Sequence, residues 1–164
     1  MRTRSLSVLA AAFLAMQPAA AQTKKPMTID DLWAMQRVGS PVVSPDGRKV
    51  AYTVATYDMD ENRSNADIVV RDLTTGTVRK LTTAKAGDSS PAWSPDGTHI
   101  AFVSRREDDK ASQIYVIPTD GGEARRITSM PISASSPKFT PDGRRIVFVS
   151  SVLEGFESLE ATKK

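Results

Sequence analysis

Nearly the same eight letters occur three times in this chain: SPVVSPDG at 40–47, SPAWSPDG at 90–97 and SPKFTPDG at 136–143. Their starts lie 50 and then 46 residues apart. A phrase returning at that interval marks a structural unit copied along the chain, and this narrows the fold more than any overall property does.

The second half of the phrase is turn chemistry. Pro45 sets φ near the value wanted at the second position of a type I turn, Asp46 suits the third, and Gly47 supplies the positive φ from which the chain returns as an antiparallel strand. Pro95, Asp96 and Gly97 take the same roles, as do Pro141, Asp142 and Gly143. Each corner is followed by a run rich in β-branched and aromatic residues, KVAYTVA, HIAFVS and RIVFVS, which reads as a strand. Val43, Trp93 and Phe139 are the matching apolar residues that end the incoming strands.

The repeat extends beyond the corner. DIVVRDLTTGTVRKLTT (67–83) aligns without a gap on QIYVIPTDGGEARRITS (113–129), and each reads as a strand, a glycine turn and a second strand. The unit is therefore four antiparallel strands every 45 to 50 residues, the pattern of a β-propeller blade. The fold class expected is all-β: an incomplete propeller of two full blades (about 38–83 and 86–129) and part of a third (133–164), preceded by a short helix. A ring closes with about four to eight blades. The expectation is thus a front end of something longer, with an exposed sheet edge and a tendency of the isolated chain to self-associate.

Ahead of the repeats, residues 1–21 have the three parts of a secretory signal. Arg2 and Arg4 give a positive start, Leu6 to Met16 an apolar run, and Ala19-Ala20-Ala21 the small residues read by a signal peptidase. The apolar run is 11 residues, short of the ~20 of a spanning helix, so cleavage after Ala21 is expected, with Ala19 and Ala21 as the recognised positions and no membrane span afterwards. The chain has no cysteine, so neither lipid attachment at a signal-end cysteine nor a disulfide is available. Residues 22–37 form a lead-in and a short helix from Thr28 to Met35. Thr28 and Asp31 are spaced as a capping box, and Ile29, Leu32 and Trp33 share a face expected to pack on the body that follows.

Charge argues against nucleic acid. The formal charge is +3, but removing Arg2 and Arg4 from 22 basic residues leaves 20 against 19 acidic ones. The basic pairs at 105–106, 125–126 and 144–145 are scattered, as on a solvated surface. His99 is the only histidine, and its place in the repeat is held by Lys49 and Arg145, so it reads as an exposed polar residue at a strand start. With one histidine and no cysteine, no multi-residue zinc site can form. Asp58, Asp60 and Asn62 alternate as at the start of a calcium loop, but Arg63 and Val69 stand where the sixth-position glycine and twelfth-position glutamate belong, so the segment reads as a solvated loop. Glu107-Asp108-Asp109 is its counterpart in the second blade. No glycine-rich phosphate loop leads from a strand into a helix. No residue is thus assigned a catalytic, cofactor-binding or metal-binding role, and no cofactor is expected. The closing LEGFESLEATKK has apolar residues at helical spacing.

The succession DDLWAMQRVGSPVVSPDGRKVAY, LTTAKAGDSSPAWSPDGTHIAFVS and IYVIPTDGGEARRIT resembles the amino-terminal propeller of prolyl oligopeptidase-family serine peptidases, nearest their exported bacterial acylaminoacyl- and dipeptidyl-peptidase-like branch. The resemblance covers nearly all of 27–164. The corner alone is shared by other propellers, including the periplasmic one of the Tol system; the helix before the first corner is the more discriminating piece. The resemblance implies a propeller that gates entry of short peptides to an α/β-hydrolase domain with a Ser-Asp-His triad. No G-x-S-x-G elbow occurs here, so the triad would lie outside this chain, and the chain alone would be inactive. The expected role is substrate gating in an exported, periplasmic or secreted serine peptidase, with peptides as partners through that further domain. The alternative is a non-catalytic periplasmic propeller for protein–protein interaction. No oligomeric state follows from the residues.

Overall fold

Side chains along the apolar runs alternate between two faces with the period of a pleated strand, and both faces are apolar in the middle of each run. Such a strand must be covered on both sides. The computed structural model, which describes residues 25–106 and 108–151, meets this by standing antiparallel sheets face to face.

A short helix, α1 (Ile29–Ala34), precedes ten strands: β1 (Arg37–Val43), β2 (Lys49–Asp58), β3 (Arg63–Asp72), β4 (Val78–Lys80), β5 (Asp88–Trp93), β6 (His99–Ser104), β7 (Gln113–Pro118), β8 (Arg125–Arg126), β9 (Ala134–Phe139) and β10 (Ile146–Ser150). They form sheets of order β1-β2-β3-β4, β5-β6-β7-β8 and β9-β10, with every neighbour antiparallel. The chain is an open, incomplete propeller with a short leading helix. The signal segment with Ala19 and Ala21, and the closing apolar tail, lie outside the described residues.

The first core lies between sheets one and two. Ala51, Ile68, Val70 and Leu81 of the first sheet meet Ile100, Phe102, Tyr115 and Ile117 of the second, and all eight are buried. The next junction repeats this: Ala101, Val103 and Ile114 pack with Ala134, Phe139 and Ile146. Each sheet therefore turns one face back and the other forward. Trp93 and Phe139 both point back onto the preceding sheet. Val43, their counterpart, has no sheet behind it among the described residues and is 60% exposed.

The exposed sheet edge expected from the sequence is that of β10, whose outer side pairs with no strand among the described residues. In the first two sheets the outer strands β4 and β8 are only three and two residues long, which leaves little edge there. Among the described residues the faces of the first and last sheets stand uncovered as well, with Val38, Val43 and Val78 at one end and Val147 and Val149 at the other.

The first Ser-Pro of each phrase has its own structural cause. Ser40, Ser90 and Ser136 adopt φ of 51°, 53° and 49°. At each the register shifts, so that Ser40-Pro41, Ser90-Pro91 and Ser136-Pro137 oppose a single residue: Tyr52, Phe102 and Phe148. A proline has no N–H for the ladder, and a bulge absorbs it. The eight letters thus encode a bulge and then a corner.

The capping box of α1 forms as its spacing predicts: Thr28 Oγ1 accepts from Asp31 N (3.2 Å) and Asp31 Oδ2 accepts from Thr28 N (2.9 Å). Its apolar face packs less than expected. Trp33 stacks on Tyr57 with ring centroids 4.6 Å apart, but Ile29 and Leu32 remain exposed. A six-residue helix touching only the far part of β2 has one ring to anchor it.

Candidate functional site

The three corners line up along one end of the sheet stack. Gly47, Gly97 and Gly143 have φ of 72°, 71° and 69°, and their N–H groups donate to Ser44, Ser94 and Thr140 carbonyls at 2.9 Å. Pro45, Pro95 and Pro141 and the three aspartates are exposed on this rim. A Cβ on Gly97 would stand 3.9 Å from Pro45 Cδ, and one on Gly143 3.7 Å from Pro95 Cδ, so each glycine nests against the preceding proline.

The hydroxyl at the start of each corner is the residue that sequence reasoning passed over. Ser44 Oγ donates to Asp46 Oδ1 (2.6 Å) and accepts from Lys49 N (2.8 Å); Ser94 Oγ does the same with Asp96 Oδ1 (2.5 Å) and His99 N (2.9 Å). Thr140 repeats the pattern with Asp142 and Arg145. The signal was present as Ser, Ser, Thr at one place in all three phrases. Each aspartate also accepts from the backbone N–H two residues on. These bonds, the hydroxyl's first, hold Asp46 and Asp142 below the usual carboxylate range and bring Asp96 down to about 2. One oxygen of every corner aspartate is committed to the turn.

Near the opposite end of the strands, a cavity of about 480 Å³ opens between the β4–β5 link and the β6–β7 loop, lined by Lys85, Ala86, Arg106, Asp109, Tyr115 and Arg126 among others. Its organising group is Asp109, a buried carboxylate. Asp109 accepts from Tyr115 Oη (2.6 Å), Arg126 Nη1 (2.8 Å) and the Arg106 amide (3.0 Å). Burial works to raise its pKa, but these donors outweigh it and hold the carboxyl below its ordinary value. Burial, with Asp109 beside it, pushes the Tyr115 phenol up to about 12. The Arg106 guanidinium lies 4.7 Å from the Tyr115 ring centroid. Nearby, Asp88 is fully buried, and neither carboxylate oxygen has a hydrogen-bond partner; burial raises its pKa, against the hydroxyls of Thr82 and Ser104 and the charge of Arg106.

Of the other residues singled out from the sequence, His99 and Asp58 lie apart from this cavity. His99 is exposed at the head of β6 with Nδ1 2.7 Å from Thr98 Oγ1, on the corner side and away from the Asp109 cavity. Among the described residues no three His, Cys, Asp or Glu side chains converge to hold a metal. Asp58 Oδ1 accepts from the amides of Asp60 (2.9 Å) and Glu61 (3.0 Å), so it closes the β2–β3 hairpin turn. Of the second acidic loop, Asp108 is exposed, Asp109 is buried, and Glu107 lies outside the described residues. No helix among the described residues is long and apolar enough to cross a membrane. What the arrangement around Asp109 does is hold and orient the Tyr115 and Arg126 side chains.

Three radially stacked units with these corners match one family over residues 26–157, described as PD40, the TolB beta propeller domain. The chain belongs to the PD40 β-propeller family. Within it, the chain is 37% identical over 98 residues to the uncharacterized peptidase YuxL of Bacillus subtilis, covering 60% of this chain and 15% of that protein. It is 29% identical over 108 residues to dipeptidyl-peptidase 5 of Porphyromonas gingivalis, covering 63% and 16%. Among solved structures, the β-propeller domain of the Trilobed protease from Pyrococcus furiosus superimposes with a TM-score of 0.58 at 25% identity, over 70% of this chain and 33% of that one. TolB from Acinetobacter baumannii does so with a TM-score of 0.56 at 28% identity, over 70% and 27%. The chain therefore spans about a sixth of the length of the curated relatives it matches. PD40 propellers are thus related both to peptidases and to TolB.

Proposed function

We propose that this PD40 chain is the amino-terminal, substrate-gating propeller segment of an exported serine peptidase that cleaves short peptides, of the dipeptidyl or acylaminoacyl type. The reading is carried by the likeness to two peptidases across the repeats. The triad belongs to an α/β-hydrolase domain outside this chain, where a serine would form the acyl-enzyme. The propeller of the whole protein acts sterically, by keeping folded protein out of the catalytic chamber. Residues 1–21 direct export to the periplasm or beyond, with cleavage after Ala21. The blades divide at about 38–83, 86–129 and 133–164.

The test is to read the gene past Lys164 and label the whole product with a fluorophosphonate. A downstream G-x-S-x-G followed by Asp and His, with labelling abolished by Ser→Ala at the elbow, is the expected result. Further repeats and then a stop codon, with no labelling, overturn it. That outcome fits a second reading, supported by the family description and the TolB likeness: a non-catalytic periplasmic propeller that binds proteins.

A further inference from the structure

The junction between the first two sheets buries charge where the next junction buries a methyl group. Asp88 and Ser104 stand opposite each other across β5 and β6, and both are buried. Ser104 follows Ile100 and Phe102 at alternate positions, so it turns to the same side, toward the first sheet. Arg106 comes to that side as well, its guanidinium 5.9 Å from the Phe102 ring centroid and 4.7 Å from that of Tyr115. The first sheet brings Thr82, whose Oγ1 accepts from Ile68 N (2.8 Å). Both carboxylate oxygens of Asp88, Ser104 Oγ and Arg106 Nε are buried with no hydrogen-bond partner among the described residues. Burial raises the Asp88 pKa, and the Thr82 and Ser104 hydroxyls and the Arg106 charge work against it; all three therefore lie close by, yet none is bonded to the carboxylate.

The repeat offers a control. An offset of 46 residues carries Thr82, Asp88 and Ser104 onto Thr128, Ala134 and Ser150 at the second junction. There every polar group is satisfied by protein: Thr128 Oγ1 donates to Gln113 Oε1 (2.7 Å), Ser150 Oγ donates to the Ser133 carbonyl (3.0 Å), and the fully buried Ala134 brings no polar atom. At the first junction Gln113 is replaced by Asp67, which is paired with Lys80 (2.7 Å), and Ala134 by the unpartnered Asp88.

We propose that the first junction binds a water molecule, which donates to Asp88, accepts from Arg106 Nε and so ties the carboxylate to the guanidinium. The set of orphaned atoms selects the ligand. A metal ion would meet a guanidinium beside its carboxylate, an anion would meet Asp88, and an apolar group would leave every polar atom unpaired. Water both donates and accepts, and about two to four polar partners suffice to hold it in a protein interior. The tie has a consequence for the Asp109 cavity, because Arg106 forms part of its wall against Tyr115. Asp88 is thus a positioning residue, acting on Arg106 through the water. The inference rests on the junction and not on the peptidase reading, and it can fail independently of that reading.

A crystal structure of the full chain, at a resolution that shows ordered water, is expected to place one between Asp88 and Arg106 Nε at hydrogen-bond distances of about 2.7–3.2 Å. Hydrogen exchange at the Arg106 Nε–H, followed by nuclear magnetic resonance, reads the same tie in solution. Asp88→Asn keeps an acceptor for the water, so exchange should stay within about threefold of wild type. Asp88→Ala copies the second junction and removes the acceptor; exchange should quicken at least about tenfold, and the guanidinium should leave the Tyr115 ring. The wild-type structure and Asp88→Asn decide the matter even where Asp88→Ala does not fold. A direct bond from Arg106 to Asp88, density for an ion, no density between them, Asp88→Asn exchanging about tenfold faster than wild type, or a folded Asp88→Ala exchanging as wild type does overturns the proposal.

Discussion

Phe102 and Phe148 occupy the same place in successive repeats, 46 residues apart, each opposite a Ser-Pro bulge. They differ in what covers them. Phe102 is fully buried between two four-stranded sheets, its ring 5.9 Å from that of Tyr115. Phe148 faces the second sheet from the two-stranded one and is 36% exposed. Truncating Phe102 to alanine removes the transfer free energy of a whole side chain and leaves a closed void, about 3–5 kcal/mol together. At Phe148 roughly two-thirds of the transfer term is at stake, and the gap opens to water, so no cavity term is added; about 1–2 kcal/mol is expected. The gap between the variants is about 2–3 kcal/mol. With a urea slope of about 1–2 kcal/mol/M it separates their midpoints by roughly 1–3 M. Trp93, which packs on the first core, reports the transition by fluorescence, with all proteins at one concentration so that association does not enter. Equal midpoints for Phe102→Ala and Phe148→Ala, or the reverse order, would refute the idea that a sheet gains its stability from the sheets on either side.

Tyr115→Phe should cost about 1–3 kcal/mol, since Asp109 loses a buried donor at 2.6 Å. Because the Asp109 carboxyl is depressed in the folded state, the stability it contributes is present above its unfolded value and is lost as pH falls; Tyr115→Phe should therefore move acid unfolding to higher pH, read by thermal melts from pH 7 to 3. The Tyr115 phenol is raised to about 12, so the wild-type chain should also lose stability above about pH 10, and Tyr115→Phe should not show that alkaline loss. Asp88→Asn should stabilise at neutral pH: the wild-type carboxyl is raised by burial, so its cost grows as pH climbs from the unfolded value through the folded one, and the variant's melting temperature should flatten between pH 4 and 8. Trp93→Phe keeps the apolar packing but removes the donation from Nε1 to the Val42 carbonyl (3.0 Å); a loss of about 1 kcal/mol is expected in a urea titration followed by far-UV circular dichroism, and no loss would mean that this bond does not tie the first two sheets.

Much was legible in the residues alone because it is local. Pro-Asp-Gly at the corners, the capping box of Thr28 and Asp31, and the strand character of KVAYTVA or HIAFVS follow from short-range sterics and hydrogen bonding, which need no partner from elsewhere in the chain. The repeat interval then made radial stacking the economical way to cover two apolar faces per sheet. Position in the stack was not legible. Val43, Trp93 and Phe139 read alike, yet one is exposed and two are packed, because burial depends on whether another sheet stands behind. Ser40, Ser90 and Ser136 gave no sign of a left-handed conformation until the opposing strands showed two residues facing one. Asp109 looked like one more loop acid, and only the arrival of Tyr115 and Arg126 from β7 and β8 made it the buried tie of the cavity. Local geometry is written in neighbouring residues, whereas burial and charge pairing are set by surfaces that meet across tens of residues, and those exist only once the sheets have stacked.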